Sequence, residues 1–158
     1  MKFFLDTEFS ERGPRHPIEL ISVALVAEHG REFYAHSADY EIAAYSPWVQ
    51  RNVLPHLASE PPMSLWSIGD SLKIFVGPEK PEFWGYYADY DWVVFCQIFG
   101  SMINLPKGWP MYCRDLKQWC DQLGNPRLPT QESVEHNALN DARWNLRVYN
   151  FLKAKAAA

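Results

Sequence analysis

The chain has 158 residues and a mass of 18.4 kDa, within the ~100–200 residues of a typical domain. Hydrophobic residues make up 47% and charged residues 22%, the composition of a soluble globular protein. The formal net charge of -4 lacks a basic footprint and argues against long, nonspecific binding to a duplex driven by counterion release.

Cys96, Cys113 and Cys120 form an odd set without CxxC spacing, which argues against a disulfide framework and a structural zinc site. The apolar run at Met1–Leu5 is too short for a secretory signal and ends in Asp6. No stretch is long and apolar enough to span a bilayer, so a soluble, cytoplasmic protein is expected. The seven Trp, eight Tyr and nine Phe are expected mainly in the core, with a minority free to stack on bases.

In chain order, Lys2–Asp6 reads as a short buried strand. Glu19–Ala27 is a second strand, rich in β-branched residues, and Arg31–His36 a third after the His29-Gly30 turn. A helix is predicted over 46–57, with Ser46 as N-cap and Pro47 at its first position. A second helix covers Ser67–Val76 and stops before Gly77-Pro78. Glu82–Tyr87 is a fourth strand, and Asp91–Phe99 has the apolar spacing of a helix, with Asp89 as its cap. Pro110–Cys113 reads as a fifth strand and Asp115–Leu123 as a helix stopped by Gly124-Asn125-Pro126. A last helix starts near Asn137 and is expected to fray from Lys153 to Ala158. The order is α/β, one mixed sheet flanked by helices in a single domain over 1–158.

Three separated motifs carry chemistry. Asp6 and Glu8 lie two apart, so a strand projects both carboxylates from one face. Such a pair repels unless a cation sits between its members, and its hard oxygens favour Mg²⁺ or Mn²⁺. Asp91 follows Tyr90 at the head of a predicted helix and is preferred as the site acid over Asp89, two residues before it. His136 and Asp141 are five apart, which on a helix leaves them roughly 140° from one another. They converge only if His136 lies in the preceding loop or first turn.

Together these motifs, Asp6-Thr7-Glu8, Tyr90-Asp91 and His136-Asn-Ala-Leu-Asn-Asp141, resemble those of the DEDDh 3′–5′ exonucleases of the ribonuclease H-like superfamily. The likeness spans nearly the whole chain. Asp-Thr-Glu-Phe9, Ile18-Glu19-Leu20-Ile21-Ser22 and Leu65-Trp66 are similar to the RNase AS branch, whose members act on polyadenylate. The resemblance implies a ribonuclease H-like, mixed five-stranded sheet flanked by helices. It also implies phosphodiester hydrolysis with two Mg²⁺ or Mn²⁺ ions about 3.5–4 Å apart. Asp6, Glu8, Asp91 and Asp141 would then be the metal ligands, and His136 the base that takes a proton from the attacking water. Their four carboxylates account for the whole formal charge, so bound cations make the acidity compatible with a phosphate substrate.

Substrate choice is less legible. Phe9 is a candidate for stacking on the terminal base, though a residue after Glu8 also points toward core. Trp66 is a second stacking candidate that packing would equally explain, and Glu19 a candidate acceptor for an adenine amino group or a solvated carboxylate. Arg143 and Arg147 share a helix face and read as solvated or as phosphate contacts. The expected substrate is the 3′ end of single-stranded RNA, adenylate-rich by resemblance, and the expected assembly a homodimer. The alternatives are a DNA 3′–5′ exonuclease of the same superfamily and a noncatalytic nucleic-acid-binding module on the same fold.

Overall fold

The computed structural model describes residues 1–39, 44–133 and 135–157. Its strands are β1 (Lys2–Ser10), β2 (Glu19–Ala27), β3 (Glu32–His36), β4 (Glu82–Gly85) and β5 (Arg114–Asp115). Its helices are α1 (Pro47–Asn52), α2 (Leu65–Val76), α3 (Asp89–Gln97), α4 (Leu116–Gln122) and α5 (Ala138–Ala156), with 3-10 turns at Leu54–His56 and Met102–Asn104. The sheet order is β3-β2-β1-β4-β5. β1 is antiparallel to β2 and β2 to β3, whereas β4 runs parallel to both β1 and β5. This is the expected mixed five-stranded sheet of a ribonuclease H-like exonuclease fold.

Alternation along β1 divides the core. Phe3 and Leu5 face α2 and α3 with Val23, Leu25, Ile68, Leu72 and Phe95. Phe4 faces α4 and α5 with Ala24, Val26, Leu116, Val148 and Leu152. Period two then places Asp6 and Glu8 on the α5 side and Thr7 on the α3 side.

Several predicted boundaries move, each for a physical reason. α1 ends at Asn52 because Pro55 lacks an N–H and the chain tightens into a 3-10 turn. α2 starts at Leu65, where the Ser64 hydroxyl accepts from the Ser67 N–H. β4 stops at Gly85, and Tyr87 enters a positive φ of 53°. The predicted strand at Pro110–Cys113 is not one: pairing with β4 falls on Arg114 and Asp115 instead. Met111 uses its carbonyl to accept from the Trp92 indole at 3.3 Å. Asp89 is the first residue of α3 and not its cap; Ala88 holds the cap position and offers no side-chain bond. Asp115 serves that turn, accepting from the Ala88 N–H at 2.8 Å while also capping α4 through the Gln118 N–H. The tail expected to fray from Lys153 is helical through Ala156, and Ala158 lies outside the described residues.

Candidate active site

Asp6 and Glu8 come from the C-terminal half of β1, and Asp141 from the first turn of α5. One carboxylate oxygen from each lies within 4.8 Å of the others. The start of α5 is fixed locally: Asn137 caps it by accepting from the Asn140 N–H at 3.1 Å. The Asn137 amide also donates to the His56 carbonyl at 2.7 Å, which fastens the helix to the turn after α1. Gln131 donates its amide to Asp141.

Asp91 meets β1 from its other side, at Thr7, and is not one of the three carboxylates that come within 4.8 Å. β4 pairs with β1 only at Lys2, Phe3 and Phe4, so beyond Phe4 the β1 edge has no strand partner there. Two side chains take over the exposed backbone groups, as buried amides and carbonyls require. Asn145, one turn beyond Asp141, donates to the Leu5 carbonyl at 2.9 Å. Asp91 accepts from the Thr7 N–H at 2.8 Å and from the Thr7 hydroxyl at 2.6 Å, both at Oδ1. Asp89, the other aspartate of this stretch, is exposed and lines a surface pocket with Trp92 and Tyr112.

The electrostatics are those of crowded anions. Burial raises the Asp6 carboxyl well above its ordinary range, and the charges of Asp91, Asp141 and Glu8 add to this. Glu8 is pushed to about 8 by burial, then by Asp141 and Asp91. Burial carries Asp91 to about 6, and the two bonds from Thr7 hold it down. Asp141 is also raised by burial, countered by the Gln131 amide and nearby His136. All four protonate readily unless positive charge arrives. An all-oxygen donor set whose members resist ionisation alone fits one or more hard divalent cations.

His136 lies outside the helix, one residue before the Asn137 cap, with φ at 62°. It is exposed and stands edge-on to Trp48, ring centroids 4.9 Å apart. The flare from the helix that convergence with Asp141 required is therefore present.

The three substrate candidates differ. Phe9 follows a β-bulge at Glu8/Phe9 and stacks on Tyr90 with centroids 5.7 Å apart and planes 7° from parallel. Glu19 is not simply solvated: it is ion-paired with Arg12 through Oε1. Its Oε2 is buried and has no hydrogen-bond partner among the described residues. Glu19 lines a cavity of about 380 Å³ with Ile18, Leu20, Leu65 and Ile98. Trp66 is in the first turn of α2 and 75% exposed, so packing does not account for it. Arg143 is occupied by a two-pronged contact to Glu32 at 2.7 and 2.8 Å.

Thr7, Gln131 and Asn145 were not singled out by sequence. Asn145 carries a signal in retrospect, as a polar residue four after Asp141 on the buried face of α5; Gln131 carries none. No helix of the described residues is long and apolar enough to cross a membrane.

A family model described as the 3′–5′ exoribonuclease Rv2179c-like domain matches residues 1–152. The 3′–5′ exoribonuclease Rv2179c of Mycobacterium tuberculosis (strain H37Rv) is 39% identical over 160 residues, covering 96% of this chain and 93% of that protein. Among solved structures, E. coli exonuclease I in complex with a dT13 oligonucleotide superposes with a TM-score of 0.68 at 15% identity. That match covers 99% of this chain and 41% of exonuclease I, and it bears on the fold alone. A full-length 3′-exonuclease gives a TM-score of 0.58 at 14% identity, over 98% of this chain and 82% of that one. With the exonuclease fold, the three converging carboxylates and this match over nearly its whole length, the chain belongs to the Rv2179c-like 3′–5′ exoribonuclease family.

Proposed function

We propose that this exoribonuclease removes nucleotides one at a time from the 3′ end of single-stranded RNA, prefers adenylate as the RNase AS branch does, and depends on two Mg²⁺ or Mn²⁺ ions. The observation that carries the reading is the convergence of Asp6, Glu8 and Asp141 within 4.8 Å, with Asp91 held beside them by Thr7. When bound, two such cations supply Lewis-acid charge at the scissile phosphate and make the attacking water more acidic. Asp6, Glu8, Asp91 and Asp141 are the residues that would hold them. Thr7 donates twice to Oδ1 of Asp91, and Oδ2 would be the atom offered to a cation.

His136 acts as the general base in this reading. It is exposed and lies off the helix, one residue before the Asn137 cap, and an imidazole is the usual side chain for taking a proton from an attacking water. Base choice falls to the Glu19 cavity. An unpartnered buried carboxylate oxygen demands a donor, and the adenine amino group supplies one where a uracil carbonyl does not. Phe9 and Trp66 add ring faces for stacking. A homodimer belongs to the same reading, and light scattering tests it.

The experiment is digestion of labelled single-stranded RNA and DNA side by side, with Mg²⁺ and with EDTA. The proposal expects mononucleotides from RNA, abolished by EDTA. Preferred cutting of DNA would favour the DNA exonuclease alternative. EDTA-insensitive RNA binding without mononucleotide release would favour the noncatalytic module.

A further inference from the structure

Tyr87 stands where β4 gives way to α3, two residues after Gly85 and four before Asp91. Its φ of 53° is in the left-handed region, which a residue with a large ring enters only under strain. Among the described residues the other non-glycine positions with positive φ are Asn125 and His136. Asn tolerates that conformation, and His136 already borders the carboxylates. Tyr87 has neither excuse, and its side chain is 63% exposed, so no core contact compensates the strain.

The surroundings place it at the site. The Gly85 turn is pressed against β1 just before Asp6: a Cβ at Gly85 would come 2.8 Å from the Ala88 Cβ and 3.4 Å from the Leu5 oxygen. Tyr87 leans edge-on against Tyr86, centroids 4.7 Å apart. Tyr86 in turn stands edge-on to Trp144, three residues past Asp141 on α5, at 5.0 Å. By sheet order this aromatic group sits on the β4 side of β1, while the Glu19 cavity opens from β2 on the other. The carboxylates of β1 lie between them.

We propose that Tyr87 forms a second nucleotide site, in which the base upstream of the scissile phosphate stacks on its ring. An exposed aromatic ring is the sequence-tolerant platform that single-stranded nucleic acid uses. The strain of the turn holds the ring out at the mouth, where it has no intramolecular burial to gain. This rests on the single-stranded RNA reading above.

The test compares two oligoadenylates, one complete and one with an abasic ribose at the second position from the 3′ end. Wild-type protein should show a KM at least ~5-fold higher on the abasic RNA, the loss of one stacked base. Tyr87→Asn keeps a residue suited to the left-handed turn but removes the ring, and the two RNAs should then become equivalent. Tyr87→Phe should keep the wild-type ratio. A merely structural role would lower activity on both RNAs alike and leave the ratio unchanged, which would overturn the inference. Equal KM values of wild-type protein on the two RNAs would refute the site. If wild-type protein releases no nucleotide from either RNA, it is the RNA-cutting reading that fails instead.

Discussion

Glu8→Gln tests the electrostatics of the site without any assay of catalysis. The Glu8 carboxyl moves from 4.5 in the unfolded chain to about 8 in the fold. Between those values the folded protein retains a proton that the unfolded chain releases. The contribution of Glu8 to the stability of the metal-free protein is therefore full below about pH 4.5 and is lost as pH rises toward 8. At 1.36 kcal/mol per pH unit, ionisation of this one group costs on the order of 4 kcal/mol near pH 8 and under ~1 kcal/mol near pH 5. Gln has the same shape and no charge. In EDTA, the stability of Glu8→Gln relative to wild type should rise by on the order of 3 kcal/mol between pH 5 and pH 8. Urea denaturation at the two pH values reads this directly. Saturating Mg²⁺ near pH 8 should reverse the order, stabilising wild type far more than the variant. Parallel behaviour of the two proteins across pH would refute the picture of Glu8 as a buried anion among anions.

His136→Ala should lower turnover ~10²–10⁴-fold, the usual worth of a general base, while Mg²⁺ still raises the melting temperature. Intact turnover removes His136 from that role. Thr7→Val deletes the 2.6 Å bond to Asp91, so the Asp91 carboxyl should rise above about 6 and Mg²⁺ binding by calorimetry should weaken near neutral pH. Because protons compete with cations for Glu8 and Asp91, the apparent Mg²⁺ affinity of wild type should fall steadily from pH 8 to pH 6, and a flat profile would contradict the ligand assignment. Asn145→Leu leaves the buried Leu5 carbonyl unpaired and should cost ~1–3 kcal/mol in a denaturation midpoint. Glu19→Gln should erase discrimination between 3′-terminal adenylate and uridylate; a retained preference places base choice elsewhere.

Strands whose sequence alternates or runs β-branched were legible: β2 begins and ends at Glu19 and Ala27 as read from the chain. The short β5 was not, because its two residues gain their place from pairing with β4 rather than from any local pattern. The same limit hid Thr7 and Asn145. Asn145 serves the Leu5 carbonyl and Thr7 gains Asp91 as the partner of its N–H where β4 stops pairing past Phe4, needs that exist only once the strands are assembled. Strand spacing put Asp6 and Glu8 on one face, but naming them with Asp141 as ligands rested on the resemblance of the three motifs together to those of the DEDDh exonucleases. Asp89 was misread as a cap because Asp115, distant in sequence, supplies the bond to that turn. Glu19 and Trp66 could be named from the chain, but neither the Arg12 pairing of the one nor the exposure of the other follows from their neighbours.

The central claim is that the carboxylates on β1 and α5 cut RNA from its 3′ end. Digestion of the same single-stranded RNA labelled at its 3′ or its 5′ end, with Mg²⁺, by wild type and by Asp6→Asn, addresses it most directly. The 3′ label should appear at once as mononucleotide and the 5′ label should shorten stepwise, with neither event in the variant. Internal cuts, or undiminished digestion by Asp6→Asn, would contradict it.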